Sequence, residues 1–145
     1  MTYGVPPIVK LAQRLQVDIE NAVRGFHRFH KNASGAKLRD AIEEVVVIAN
    51  MAWRDPARQL AMVEELDWKV EQLKLRMQLC SHIKAFKSLG QFEALMRSAA
   101  EVGRQVGGWK KWLEHPNGQN SGASSARPKR PKTLSTRATP SGVNA

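Results

Sequence analysis

The stretch Asp55–Lys87, DPARQLAMVEELDWKVEQLKLRMQLCSHIKAFK, contains no glycine and a single proline. Asp55 stands where an N-cap acid would, and Pro56 follows at the first helical position, where a missing N–H costs nothing. Apolar residues then recur at Met62, Leu66, Val70, Leu73, Met77, Cys80 and Ile83, in steps of three and four. That is the period of a helix with one face on a core. Such a helix would be about 45 Å long, too long for one short neighbour to cover. A second apolar row, Trp68, Leu75, Leu79 and Phe86, lies about half a turn round from the first. A helix in a small monomer needs one buried stripe, so the second row has two readings. Either a four-helix core wraps far enough to cover both rows, or the second row meets another subunit.

Working outward, the preceding residues supply two more helices. Pro6 and Pro7 precede a run to about His30, with Ile8, Leu11, Leu15, Ile19, Ala22, Phe26 and Phe29 at helical spacing. The opposite face of this run carries Lys10, Arg14, Arg24, Arg28 and Lys31, with Asp18 and Glu20 only flanking it. Surface helices ordinarily mix signs to gain i,i+4 pairs, so a single-signed face is a candidate anion-binding surface. Asn32-Ala33-Ser34-Gly35 reads as a turn. The next helix spans about Ala36 to Trp53, with Leu38, Ile42, Val45, Ala49 and Ala52 on one face. Val45-Val46-Val47-Ile48 favours strand by propensity alone, but the flanking period is helical and no partner strand exists elsewhere.

Beyond Lys87 the pattern breaks at Ser88-Leu89-Gly90, with Gly90 the best hinge. A fourth helix uses Phe92, Leu95, Met96, Ala99, Val102, Val106 and Leu113. Arg97, Arg104 and Lys111, spaced by seven, share an outer row and join the basic candidates. Gly107-Gly108 implies either close backbone packing or fraying. From His115 onward the chain is rich in Pro, Ser, Gly and Thr and nearly free of large apolar residues, which predicts a disordered tail. The expected organisation is a four-helix bundle over residues 1–114 and a basic tail over 115–145. The expected fold class is all-α, an antiparallel up-down four-helix bundle.

Composition narrows the function. The 145 residues carry a net charge of +10, and 42% of them are hydrophobic, enough for a modest core. The tail supplies five cations (Arg127, Lys129, Arg130, Lys132 and Arg137) and no acid, leaving 18 cations and 13 acids in the body. Both parts are therefore basic, which points to a polyanion such as nucleic acid or an anionic membrane surface. The single cysteine, Cys80, excludes an intramolecular disulfide and reads as a small buried hydrophobe. No apolar run reaches the length of a membrane span. The opening MTYGVPPIVK lacks the basic lead and apolar core of a signal peptide, so a cytoplasmic setting is expected.

No phosphate loop, Rossmann fingerprint, Glu-x-x-His pair or serine-nucleophile motif is present. His27 and His30 are three apart on one predicted helix, but no carboxylate or third histidine completes a metal site. The expectation is a chain without catalysis, metal or cofactor.

Four antiparallel helices, a very long third one, and Gly107-Gly108-Trp109-Lys110 near the end of the fourth resemble the accessory variability determinant (Avd) proteins of diversity-generating retroelements, closely so the phage-encoded type. The resemblance covers about residues 1–113. More distantly, the chain is similar to the four-helix proteins encoded in intervening sequences of large-subunit ribosomal RNA. The resemblance implies a homopentameric barrel of bundles in the bacterial host cytoplasm. It implies association with the element's reverse transcriptase and with template RNA and cDNA. It further implies a part in cDNA synthesis and in mutagenic homing into a target gene. It carries over no catalytic residue, so the basic positions above rest on electrostatics alone. The other class of function compatible with the residues is a structural oligomer whose charge serves solubility or contact with an anionic membrane.

Overall fold

The computed structural model describes residues 4–115. Among them are four long helices, two short helical turns and no strand. The chain divides into two units, Met1–Lys110 and Lys111–Ala145; the described part of the second is the last turn of the final helix and His115. Apart from His115, the tail expected to be disordered lies outside the described residues.

Helix α1 (Pro7–Arg24) starts on a proline whose fixed φ suits a first helical position, and buries Ile8, Val9, Ala12, Leu15, Ile19, Ala22 and Val23. It ends six residues before the expected His30. The N–H of Gly25 donates to the Ala22 carbonyl at 3.0 Å and that of Phe26 to Val23 at 2.9 Å, which tightens and closes the last turn. A separate four-residue helix, α2 (Arg28–Lys31), follows, with the His27 side chain accepting from the Phe29 N–H at its start.

Helix α3 (Ser34–Arg54) buries Gly35, Leu38, Ile42, Val45, Ala49 and Ala52. Its Val45–Ile48 run is helical, as the flanking period implied: Val45 is buried while Val47 is exposed, so the four apolar residues never share one face. Gly35 sets the corner with α1. A Cβ there would lie 2.9 Å from Val23 Cγ1, 3.0 Å from the His30 carbonyl oxygen and 3.1 Å from Phe26 Cδ2.

The expected capping of the long helix is corrected. Asp55 and Pro56 do stand at the N-cap and first position, but of a 3₁₀ turn at Pro56–Arg58, and the carboxylate makes no capping bond; its Oδ2 accepts from Arg58 Nε at 2.8 Å. Helix α4 starts only at Gln59, whose side chain donates to the Ala52 carbonyl at 2.9 Å and so satisfies an orphan group of α3. Helix α4 (Gln59–His82) buries Val63, Leu66, Val70, Leu73, Met77 and Cys80, while the expected Met62 and Ile83 are half-buried. It spans about 36 Å rather than 45.

Its end is a Schellman motif: the Ala85 N–H donates to Cys80 at 2.8 Å and the Lys84 N–H to Ser81 at 3.0 Å. Lys84 takes φ 61°, the left-handed conformation that glycine usually supplies. The break between helices therefore lies here and not at Gly90. Helix α5 (Leu89–Glu114) already includes Gly90, and Ser88 Oγ caps it by accepting from the Gln91 N–H at 3.1 Å. Gln91 Oε1 reaches back to the Lys87 N–H at 2.9 Å.

The helices form an antiparallel ring of neighbours. Glu20 of α1 meets Arg39 of α3 at 3.0 Å, Glu44 of α3 meets Lys69 of α4 at 3.1 Å, and Asp67 of α4 meets Lys110 of α5 at 3.6 Å. A groove lined by Asp18, Asn21, Leu95 and Ser98 runs between α1 and α5. Glu20 with Arg39 and Asp67 with Lys110 set a late residue of one helix against an earlier one of its neighbour, and α3 and α4 meet at their middles across a short turn, the pattern of an up-down bundle. The buried residues of this core are apolar throughout, with no buried polar or charged residue among those described.

The second row of the long helix is not core. Trp68, Leu75 and Leu79 are 72%, 64% and 41% exposed. Phe86 is the exception and must leave the row: α4 has already ended, and the Schellman turn carries Phe86 inward against Phe26 at 5.2 Å and Phe92 at 5.7 Å. Among the described residues Gly107-Gly108 neither frays the helix nor packs closely on another backbone. The helix runs through both, and a Cβ at either would meet nothing within 4 Å.

The glycines should therefore respond in opposite ways. Gly35→Ala should cost about 1–3 kcal/mol by overpacking the corner. Gly107→Ala and Gly108→Ala should each add about 1 kcal/mol by improving helix propensity in open space. Denaturant unfolding of the three variants checks this, and a Gly35→Ala protein as stable as the parent would contradict the corner geometry.

Candidate nucleic-acid interface

The acids are unevenly distributed along the chain. The 19 residues Asn21–Arg39 contain none, and neither do the 21 residues Gln72–Phe92. The bundle brings these two segments to one end. The first holds the end of α1, all of α2 and the start of α3; the second holds the end of α4, the connecting turn and the start of α5. Phe26 against Phe86 joins the two turns, and the Cys80 thiol lies 3.9 Å from the Ser34 carbonyl it donates to.

Together the two segments carry nine cations. Two are locally compensated, Arg39 by Glu20 and Lys74 by Glu71 at 3.2 Å. Arg24, Arg28, Lys31, Lys37, Arg76, Lys84 and Lys87 make no ion pair with any described residue. Arg24 Nη1 donates to Asn21 Oδ1 at 3.1 Å, a neutral partner that leaves its charge in place. Lys84 adds a further point. A non-glycine residue in the left-handed region costs about 1–2 kcal/mol, so a glycine would serve the turn better and a lysine keeps a cation at this end.

The eight basic positions singled out from sequence do not form one surface. Arg24, Arg28 and Lys31 come together at the bundle end. Arg28 and Lys31 belong to α2, so they do not continue the row of Lys10 and Arg14 as one helix to His30 would require. Lys10 and Arg14 are exposed on α1, with Lys10 about 21 Å along the axis from Arg24. Arg97 is exposed on α5. Arg104 is bound by its neighbour: its guanidinium holds the Glu101 carboxyl down to about 2, with Gln105 assisting, and the two charges offset each other. Lys111 is exposed in the second unit.

Lys84 and Lys87 are not among the eight basic positions singled out from sequence. The signal that finds them is the absence of acids from the two segments rather than the spacing of cations. Separately, Val47 and Met51 of α3 and Trp68, Leu75 and Leu79 of α4 are exposed apolar side chains. Leu75 and Leu79 line a groove together with Lys37, Asp40, Glu44, Lys69 and Arg76.

Among the described residues no three His, Cys, Asp or Glu side chains group closely enough to hold a metal ion. Burial pushes the Cys80 thiol up to about 11, against a smaller opposing effect of Arg76, so it stays protonated at neutral pH. No described helix is long and apolar enough to cross a membrane. Compared with known proteins, the chain matches no family model, no curated protein and no solved structure.

Proposed function

We propose that the chain is a non-catalytic accessory factor of a diversity-generating retroelement. In this reading it binds the element's reverse transcriptase together with template RNA and cDNA, and it is required for cDNA synthesis and mutagenic homing. The observation that carries the nucleic-acid part is the acid-free end of the bundle, where two separate turns converge with unpaired cations. The retroelement and the polymerase enter through the family resemblance alone. The contacts are to phosphates, so binding tolerates sequence and weakens as salt releases the advantage of counterion displacement.

The test measures RNA and DNA binding over a range of salt. The Arg28→Gln, Lys31→Gln, Lys84→Gln, Lys87→Gln variant should lose about 3 from the slope of log affinity against log salt if each side chain neutralises one phosphate. A Lys10→Gln, Arg14→Gln variant should lose less. Exposed charges contribute little to folding, so neither should be less stable than the parent, and relieved repulsion should make the fourfold variant slightly more stable. If truncation after Glu114 abolishes binding and the fourfold variant does not weaken it, the tail is the binding element. Co-purification with the neighbouring reverse transcriptase tests the second partner.

A second reading, a structural oligomer whose charge serves solubility or anionic-membrane contact, is favoured by the exposed Trp68, Leu75 and Leu79. Binding to anionic vesicles but not to nucleic acid would support it. Oligomerisation itself belongs to both readings, as a homopentamer in the first. Burying each of these side chains between subunits would contribute about 1.5–3 kcal/mol. Leu75→Glu with Leu79→Glu should therefore give folded monomers by sedimentation. An unchanged assembly would place the interface elsewhere.

A further inference from the structure

The pentapeptide His27-Arg28-Phe29-His30-Lys31 sets one phenylalanine among cationic and titratable side chains. A continuous first helix would place Phe29 three residues after Phe26 on the core stripe. The break at Gly25–His27 changes the phase. Phe26 takes the core position against Phe86, and Phe29 is turned out, 74% exposed, more than any other large apolar side chain among the described residues. Its backbone is fixed, because the Phe29 N–H donates to His27 Nδ1 at 3.3 Å. Its ring is braced by His30, with centroids 5.4 Å apart and planes at 71°. Arg28 and Lys31 share α2 with it and Arg24 ends α1 five residues before it, with Lys84 and Lys87 on the turn that packs through Phe86.

We infer that Phe29 is a stacking platform for an unpaired base of a single-stranded nucleic acid whose phosphates rest on the surrounding cations. An aromatic ring beside a phosphate-binding groove is the combination that single-strand binders use, because every base has a π-face whatever its sequence. In a duplex the bases are already stacked on one another, so the ring would gain nothing there. A second copy of the chain related by a two-fold axis is a poor occupant. It would set the cations around one Phe29 against the same cations around the other. This inference rests on the nucleic-acid reading above and specifies the form of nucleic acid that the basic end takes.

The test uses the full chain with a labelled single-stranded RNA, the same strand carrying abasic positions, and a duplex of equal length. Phe29→Ala should weaken binding of the intact single strand by about 5- to 100-fold. Its salt slope should not change, since no phosphate contact is removed. Phe29→Tyr should retain the parent's affinity and Phe29→Leu should not. Duplex and abasic strand should bind the parent and Phe29→Ala alike.

Several results would overturn the inference. One is Phe29→Ala binding the intact strand as the parent does; another is an equal weakening on the duplex. A changed assembly mass in Phe29→Ala would make the ring a subunit contact instead. If the parent binds no nucleic acid at all, the underlying reading fails too; if the parent binds and only the Phe29 variants show no effect, the stacking role alone is lost.

Discussion

The contact on which the rest of the molecule depends is the close approach of α3 to the end of α1 at Gly35. No side chain fits between Gly35 and Val23, Phe26 and the His30 carbonyl. Chain reversal must therefore be finished within the few residues from Gly25 to Ala33, which leaves no room for a straight first helix to His30. The break in turn decides the fate of two phenylalanines. Phe26 goes inward, and its edge-on contact with Phe86, continued by Phe92, ties the first turn to the last one. Phe29 is left outside. One glycine thus brings two distant acid-free segments to the same end of the bundle.

Electrostatics along the sides of the bundle differ from those at its end. On the sides, ion pairs bridge neighbouring helices at Glu20–Arg39, Glu44–Lys69 and Asp67–Lys110. Each is largely solvated and contributes at most about 1 kcal/mol, so they set register more than they hold the fold. The apolar core supplies the stability. Toward the end, seven cations make no ion pair with a described residue, two of them, Lys37 and Arg76, lining the side groove that also holds Asp40 and Glu44. Like charges gathered this way repel and give the folded state nothing in return. Lys84 adds a conformational cost, because a lysine occupies a left-handed turn position where glycine is cheaper. An arrangement that costs stability in two ways, at one place, is what an anion-binding surface requires.

Much of the fold was legible because its signal is periodic. The core residues of α3, and Leu66, Val70, Leu73, Met77 and Cys80 of α4, fall where a 3.6-residue repeat puts them. Helix ends were less legible, because they are set by hydrogen bonds that the repeat does not encode. Asp55 looked like a cap and instead pairs with Arg58. The Schellman turn ended α4 five residues early, and a lysine at its left-handed position gave no glycine to mark it. The overlong readings of α1 and α4 propagated to the candidate surfaces. Extending α1 to His30 joined Arg28 to Arg14 in one row, and extending α4 to Lys87 put Phe86 in the outward apolar row. The break that moved Arg28 off that row also exposed Phe29, so the cations at the bundle end have an aromatic neighbour that a continuous helix would have hidden.

The two unusual surfaces lie on different parts of the bundle, and this matters for any assembly. The apolar row of Trp68, Leu75 and Leu79 runs along the side of α4, whereas Arg24, Arg28, Lys31, Lys84 and Lys87 sit at the turns that close one end of the helices. Association through a side face leaves an end face open. In a closed ring with one rotation axis, the row on one copy meets a different surface on the next, and every copy presents the same end in the same direction relative to that axis. The cationic ends would then all face one side of the ring, and neighbouring ends would reinforce one another only where they come within the screening length, about 8 Å at physiological salt. A two-fold dimer through the same row would instead point the ends to related but separate positions, each acting alone. The mode of assembly therefore decides whether a nucleic-acid strand meets one basic end at a time or several together, without any change in the residues that touch it.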